Sequence, residues 1–198
     1  MSDSVPTARV LVLGDSGAGK TSLIHALARP GEEANVGWTV GCHTDVLFFD
    51  SRMSGQCSIE FLEVGGSSSK LSRSVFYENF QGILLVYDVT NVRSFRNLSG
   101  WLDEVAIAQK VGSVERLKAG LPILLVGMKS DKIESRSTKG GRRHKLSIPG
   151  VRDHVEVSTA RVAPHEVFHT FFHRLTAGAS VTRGERIGMV LYTSSGMC

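Results

Sequence analysis

The chain has 198 residues, 41% hydrophobic and 21% charged, which suits one soluble globular domain with room for a full six-stranded core. No apolar run approaches the roughly 20 residues needed to span a bilayer, and the N-terminal Met1-Ser2-Asp3-Ser4-Val5-Pro6 lacks the basic and apolar regions of a secretion signal. A net charge of +4 is too mild to argue for nucleic acid without a basic face, and the few cysteines (Cys42, Cys57 and Cys198) suit a reducing, cytoplasmic compartment.

In chain order, residues 1–7 are expected to be disordered, 8–176 to form the domain and 177–198 a tail. Arg9-Val10-Leu11-Val12-Leu13 predicts a strand buried on both faces. Residues 22–28 predict a helix with Leu23, Ile24, Leu27 and Ala28 on one side, and 29–40 a loop without periodicity. Residues 45–49 and 58–62 read as strands, paired antiparallel across the turn-rich 51–55. A small, polar, flexible stretch at 63–69 precedes another apolar strand at 82–88. Ser94 is the expected N-cap of a helix carrying Phe95, Leu98, Trp101, Leu102 and Val105 on one face. Residues 122–127 and 155–157 complete the strands, and Pro164 opens a last helix with Phe168, Phe171, Phe172 and Leu175 on its apolar face. The connections 110–120 and 132–150 read as poorly structured. Strands alternating with helices imply an α/β fold, a mostly parallel sheet covered on both sides with ligands at the strands' carboxyl ends.

The first strand and first helix are joined by Gly14-Asp15-Ser16-Gly17-Ala18-Gly19-Lys20-Thr21, which fits the phosphate-loop pattern G-x-x-x-x-G-K-[ST]. Unsatisfied N–H groups and the helix dipole favour an anion there, and the glycines let the backbone close around it. Asp15, Ser16, Gly17, Ala18, Gly19, Lys20, Thr21 and Ser22 are the candidate nucleotide-binding residues of this loop. Lys20 is expected on the β- and γ-phosphates and the Thr21 hydroxyl on Mg²⁺.

Three further stretches narrow the ligand. Thr39, in Trp38-Thr39-Val40-Gly41, stands where it can reach Mg²⁺ and a γ-phosphate. Glu63, in Glu63-Val64-Gly65-Gly66, is the candidate to meet Mg²⁺ through water, with the Gly66 N–H on the γ-phosphate. Met128-Lys129-Ser130-Asp131 ends an apolar strand. Asp131 is placed to accept the paired N1–H and N2–H₂ donors of guanine, with the Lys129 stem over the base. Adenine lacks that edge and would leave the carboxylate unsatisfied. Thr159 and Ala160, at the end of the last strand, are further candidates, with the Ala160 N–H for guanine O6.

This set resembles the Ras superfamily of small GTPases across residues 8–176. Tyr87-Asp88-Val89-Thr90-Asn91, Ser94-Phe95 and Trp101-Leu102-Asp103-Glu104 look like the Rab branch. Trp38-Thr39-Val40-Gly41-Cys42, Val64-Gly65-Gly66-Ser67 and Val75-Phe76-Tyr77 are similar to its Rab-like 3 subgroup. The resemblance implies a three-layer P-loop NTPase fold (a Ras-like G domain), a six-stranded mostly parallel sheet with about five helices and a degenerate fourth-helix region. It also implies Mg²⁺-dependent GTP/GDP binding and two switch segments, 38–42 (Trp38 to Cys42) and 63–77 (Glu63 to Tyr77), read by effector or regulatory proteins. For the subgroup it suggests a cytoplasmic protein tied to membrane trafficking, ciliary or signalling pathways. A prenylation box needs its cysteine four from the end, where Ser195 sits, so no lipid anchor is expected.

Several positions depart from the family's pattern. Glu63 stands where the family has Asp, which lengthens the side chain by one methylene. With Lys20, Thr39 and Gly66, Ser67 completes the catalytic candidates, but it replaces the Gln that orients attacking water and is too short to do so. Met128 replaces an Asn or Thr that buttresses the base, and no aromatic follows Arg29 to stack on it. These losses predict slow hydrolysis and fast exchange. One rival is a conventional Rab GTPase of vesicle traffic, whose activating partner supplies the missing groups and whose exchange factor loads it. A P-loop kinase of a small substrate is the rival from another class; it lacks an Arg-bearing lid here and gives Asp131 no role.

Smaller signals remain. His165, His169 and His173 at four-residue spacing predict a solvated helix face. The basic run from Lys132 to Lys145 reads as a solvated loop, or as a contact for an acidic partner or anionic lipid. Because 133–146 shows no apolar stripe, the last two strands are expected to expose an apolar face, covered by the tail segment 187–192 or by a second copy of the chain as a homodimer.

Overall fold

The computed structural model describes residues 5–32, 37–51, 55–67, 69–134, 146–159 and 166–178. Six strands form one sheet: β1 (Thr7–Leu13), β2 (Cys42–Ser51), β3 (Gly55–Val64), β4 (Gly82–Asp88), β5 (Ile123–Met128) and β6 (Asp153–Val157). Their order is β2-β3-β1-β4-β5-β6. Every neighbouring pair is parallel except β2 and β3, which run antiparallel from Cys42 opposite Val64 to Ser51 opposite Gly55. The helical segments are α1 (Lys20–Ala28), α2 (Lys70–Ser74), α3 (Val92–Arg96), α4 (Leu98–Ala108), α5 (Val114–Gly120), α6 (Asp131–Glu134) and α7 (Glu166–Gly178).

The apolar strands are central because their side chains alternate between two filled layers. Val10, Val12, Leu84 and Val86 point to the side of α1 and α7, where Leu23 and Phe171 meet them. Leu11, Leu13, Ile83 and Leu85 point the other way, onto Leu102 and Val105 of α4. Each such fully buried side chain contributes about 1.5–3 kcal/mol. The last helix buries Phe168, Phe171, Phe172 and Leu175, the face its spacing predicts, while Pro164 lies outside the described residues. Among the described residues, no helix is long and apolar enough to cross a membrane.

Five expectations are corrected. The sheet takes up Thr7, and Pro6 O already accepts from Ser58 N–H at 2.9 Å, so order begins before residue 8; residues 1–4 lie outside the described residues. Ser94 is not an N-cap: Asn91 caps α3 by accepting from Arg93 N–H, and the Ser94 hydroxyl lies inside the turn, donating to Asn91 O at 2.7 Å. The stretch 110–120 is not structureless, because Ser113 accepts from Arg116 N–H and starts α5, whose Leu117 is buried. The last two strands do not expose an apolar face. Leu117, Leu146, Ile148 and Val151 pack against the layer that holds Ile123 and Leu125, and β6 turns the polar His154 and Glu156 toward Tyr87. The reason for a covering tail or a second copy falls with that face; residues 135–145 and 179–198 lie outside the described residues. Finally, the solvated histidine face holds only in part: His169 is exposed, but His173 is half-buried with its ring 4.8 Å from that of Phe49 on β2, and His165 lies outside the described residues.

Candidate functional site

The carboxyl ends of β1, β3, β4 and β5 deliver their loops to one edge, as a parallel sheet requires. The loop after β1 turns there at Gly14, whose φ is 147°. A Cβ on it would lie 2.1 Å from Val86 O, so the loop fits against β4 only without a side chain. Gly19, at φ 102°, precedes α1 with no side-chain cap on the helix. The first amides of this nine-residue helix are therefore left for an anion. Lys20 is 4% exposed, and its ammonium donates to Gly14 O at 2.9 Å and Asp15 O at 3.1 Å. Burial holds it below its ordinary pKa, against the pull of Glu63 and Asp15. A phosphate would add counter-charge to that of these two carboxylates.

Beside it, three oxygen-bearing side chains converge. Thr21 Oγ1 donates to Glu63 Oε1 at 2.9 Å, and Thr39 Oγ1 donates to the same oxygen at 3.0 Å. The two hydroxyls are 3.2 Å apart, so with both protons turned to Glu63 their lone pairs are free. Glu63 Oε2 is buried and has no hydrogen-bond partner among the described residues. A buried anion with an orphaned oxygen, flanked by two hydroxyl oxygens, is a donor set that a hard divalent cation satisfies. The residues present fit Mg²⁺.

On the opposite rim Lys129 holds φ at 67°, a left-handed conformation uncommon for a residue with a side chain. Its ammonium donates to Asp88 Oδ2 at 2.6 Å and to Gly17 O at 2.8 Å, which ties the end of β5 to both β4 and the phosphate loop. Burial alone would raise the Asp88 pKa. The Lys129 pair and two bonds from Thr90 outweigh it and hold the carboxyl below its ordinary value. Met128 is buried beneath Gly19, where it packs without a hydrogen bond to offer.

A cleft of about 290 Å³ gathers Ser16, Gly17, Gly19, Lys20, Thr21 and Ser22 from the loop side. Thr39, Glu63, Gly66 and Lys129 line it from the other strands' ends. Gly37 and Trp38 also line it, and Trp38 is 84% exposed rather than packed beneath the segment. The other sequence candidates stand apart. Ala18 turns its methyl into the core, although its N–H donates to Asp15 O at 3.2 Å. Asp15 gives its carboxylate to α4 rather than to the cleft. Ser67, Asp131 and Thr159 are exposed and do not line the cleft, and Ala160 lies outside the described residues. Sequence reasoning missed Asp88, Asn97 and Arg73, whose parts depend on partners 31 or more residues away.

Residues 9–177 match the sequence profile of the Ras family. Rab-like protein 3 of Danio rerio is 39% identical to this chain over 150 residues, covering 66% of the chain and 64% of the relative. Rab-like protein 3 of Mus musculus is 36% identical over 165 residues, covering 73% and 68%. The Ypt/Rab-type GTPase YPT7 of Saccharomyces cerevisiae is 34% identical over 131 residues, covering 65% and 60%. The chain thus spans about two thirds of the length of the curated relatives it matches.

Proposed function

Because this chain belongs to the Ras family, as a Rab-like small GTPase, we propose that it is a Mg²⁺-dependent GTP/GDP switch whose two switch segments are read by protein partners. One observation carries this reading: both segments meet the phosphate loop at one point. Thr39 donates to Glu63, Gly65 N–H donates to Gly41 O at 2.8 Å, and Gly66 packs against Ser16 N. A γ-phosphate at that point is within reach of both segments, and its removal takes away what they share.

In this scheme Lys20 and the first amides of α1 take the phosphates. Thr21, Thr39 and Glu63 would hold Mg²⁺, the carboxylate through water. The ion, when bound, neutralises charge on the β- and γ-oxygens. The Lys129 stem is assigned to the face of the base, Asp131 to the two guanine donors, and Thr159 with the Ala160 N–H to the guanine O6 side, although Asp131 and Thr159 do not line the cleft as it stands. Ser67, exposed and short, leaves the attacking water without an orienting group, so intrinsic hydrolysis is slow. Met128 offers no hydrogen bond to the base side, so nucleotide exchanges quickly without a factor.

Exposed apolar side chains at Trp38, Val40, Leu71 and Val75 lie on the segments 38–42 and 63–77 and favour partner proteins there. They equally support the reading in which an activating partner supplies the water-orienting group, as in a conventional Rab. A cytoplasmic role in signalling or intracellular protein transport extends from kinship alone. Nucleotide content and exchange of the purified chain test the proposal. Bound guanine nucleotide, unaided GDP release faster than in ordinary small GTPases and slow single-turnover hydrolysis are expected. Slow, family-like release contradicts the exchange half, and absence of guanine nucleotide contradicts the whole.

A further inference from the structure

Five side chains at or next to the phosphate loop are given no contact with phosphate, Mg²⁺ or base in the switch scheme. Both oxygens of the Asp15 carboxylate are taken by α4 and the residue before it. Asn97 Nδ2 donates to Oδ2 at 2.7 Å, and Trp101 Nε1 donates to Oδ1 at 3.1 Å. The main-chain oxygen of the same Asp15 accepts from Lys20 Nζ at 3.1 Å. Anchoring the side chain therefore fixes the carbonyl that holds the phosphate lysine. Above the indole lies Arg73, its guanidinium carbon 4.0 Å from the ring centroid of Trp101. Its Nε and Nη2 donate to the two carboxylate oxygens of Glu104, each at 2.7 Å. Trp101 and Glu104 are three residues apart on α4 and so share a face. Arg73 is also the buried residue of α2, a five-residue helix whose other side chains lie nearer the surface.

The geometry points to Arg73 as a positioning residue for nucleotide binding: docked on Trp101 and Glu104, it couples the seat of α2 to the phosphate loop through Asp15. A protein that pulls α2 from α4 thereby loosens the loop and speeds release. The functional half rests on the reading that the loop holds a nucleotide. Planarity matters here, because the guanidinium makes a fork to Glu104 and a stack on Trp101 that an ammonium cannot make together.

The full chain is tested as Arg73→Gln, Arg73→Lys, Trp101→Phe and the double variant Arg73→Gln with Trp101→Phe. Release of fluorescent GDP is measured, along with hydrogen exchange of amides 14–20 in nucleotide-free protein. Trp101→Phe removes the Nε1–H that holds Asp15 and also shrinks the aromatic surface under Arg73, so release should quicken by about 5- to 10-fold, of the order of one hydrogen bond. Arg73→Gln should do the same, Arg73→Lys should not restore it, and the double variant should be no faster than the faster single one. Exchange at 14–20 should rise in step while α7 stays protected. Lower thermal stability with release and loop exchange unchanged would overturn the proposal, as would effects that multiply in the double variant. If the wild-type chain takes no nucleotide, the switch reading falls and loop exchange alone decides. A rise in Arg73→Gln upholds the coupling, and no rise overturns it.

Discussion

Alanine at position 66 should separate GTP from GDP. Its Cβ would lie 2.4 Å from Ser16 N, 2.8 Å from the Asp15 carbonyl carbon and 3.0 Å from Gly14 O, all main-chain atoms that no rotamer change relieves. Ordinary contact begins at 3.4 Å, so the segment must retreat by about 1 Å. It has little slack, because Gly65 N–H is bonded to Gly41 O at 2.8 Å and its own Cβ position is 2.8 Å from Thr39 O. Retreat removes the N–H that Gly66 brings to a γ-phosphate. A hydrogen bond to a charged group is worth about 1.5–3 kcal/mol, or roughly 10- to 150-fold in affinity. GDP has no γ-phosphate and should lose less than about 3-fold. Strain on the Gly65–Gly41 bond puts about 1 kcal/mol of stability at risk, or about 2–4 °C in Tm for a chain of this size. Titration of wild type and Gly66→Ala with fluorescent GDP and a non-hydrolysable GTP analogue in Mg²⁺, beside a melting curve, measures all three. Equal losses for the two nucleotides, or none for either in a folded variant, refute the reasoning.

Three other outcomes follow from particular side chains. Met128→Asn should slow GDP release by giving the base side a hydrogen-bonding group, while costing about 2 kcal/mol of stability because the apolar packing under Gly19 is removed; unchanged release would show that the thioether is not the weak point. Burial acts to raise the Asp88 and Glu104 pKa values, but Lys129 with Thr90 and Arg73 hold them down. Their stabilisation is therefore present at neutral pH and lost as pH falls below about 4. Asp88→Asn and Glu104→Gln should melt below wild type at pH 7, and the gap should close in acid; a gap independent of pH contradicts the assignment. The Lys20 pKa is lowered, foremost by burial, so nucleotide affinity should fall as pH rises through its folded value. Over the same alkaline window the nucleotide-free protein should gain stability, because the unfolded chain holds that proton longer; affinity and stability moving together would count against it.

The sheet was legible because its strands are nearly unbroken apolar runs between turn residues, and the phosphate loop because strand, glycines and helix follow in order. Thr39, read in the loop before β2, and Glu63, read after the hairpin's second strand, both stand beside Thr21 in the fold. What stayed hidden depends on partners far along the chain. Asp15 reads as a loop residue until Asn97 and Trp101 take its carboxylate, and Arg73 reads as a surface charge until the indole and Glu104 are seen beneath it. The helix over 114–120 was missed because Glu115, Arg116 and Lys118 dilute its apolar signal to Leu117, although Ser113 carried the cap that starts it. The exposed face expected on the last strands failed for a similar reason: Leu146, Ile148 and Val151 form no helical stripe, yet they fill the layer as an irregular segment.

Calorimetry of the purified chain with GTP and with ATP, each in Mg²⁺ and in chelator, tests the central claim most directly. The account predicts heat of binding for GTP that depends on Mg²⁺ and is lost in Lys20→Ala and Glu63→Ala, with ATP bound far more weakly. No heat for GTP, or equal affinity for the two nucleotides, would contradict it.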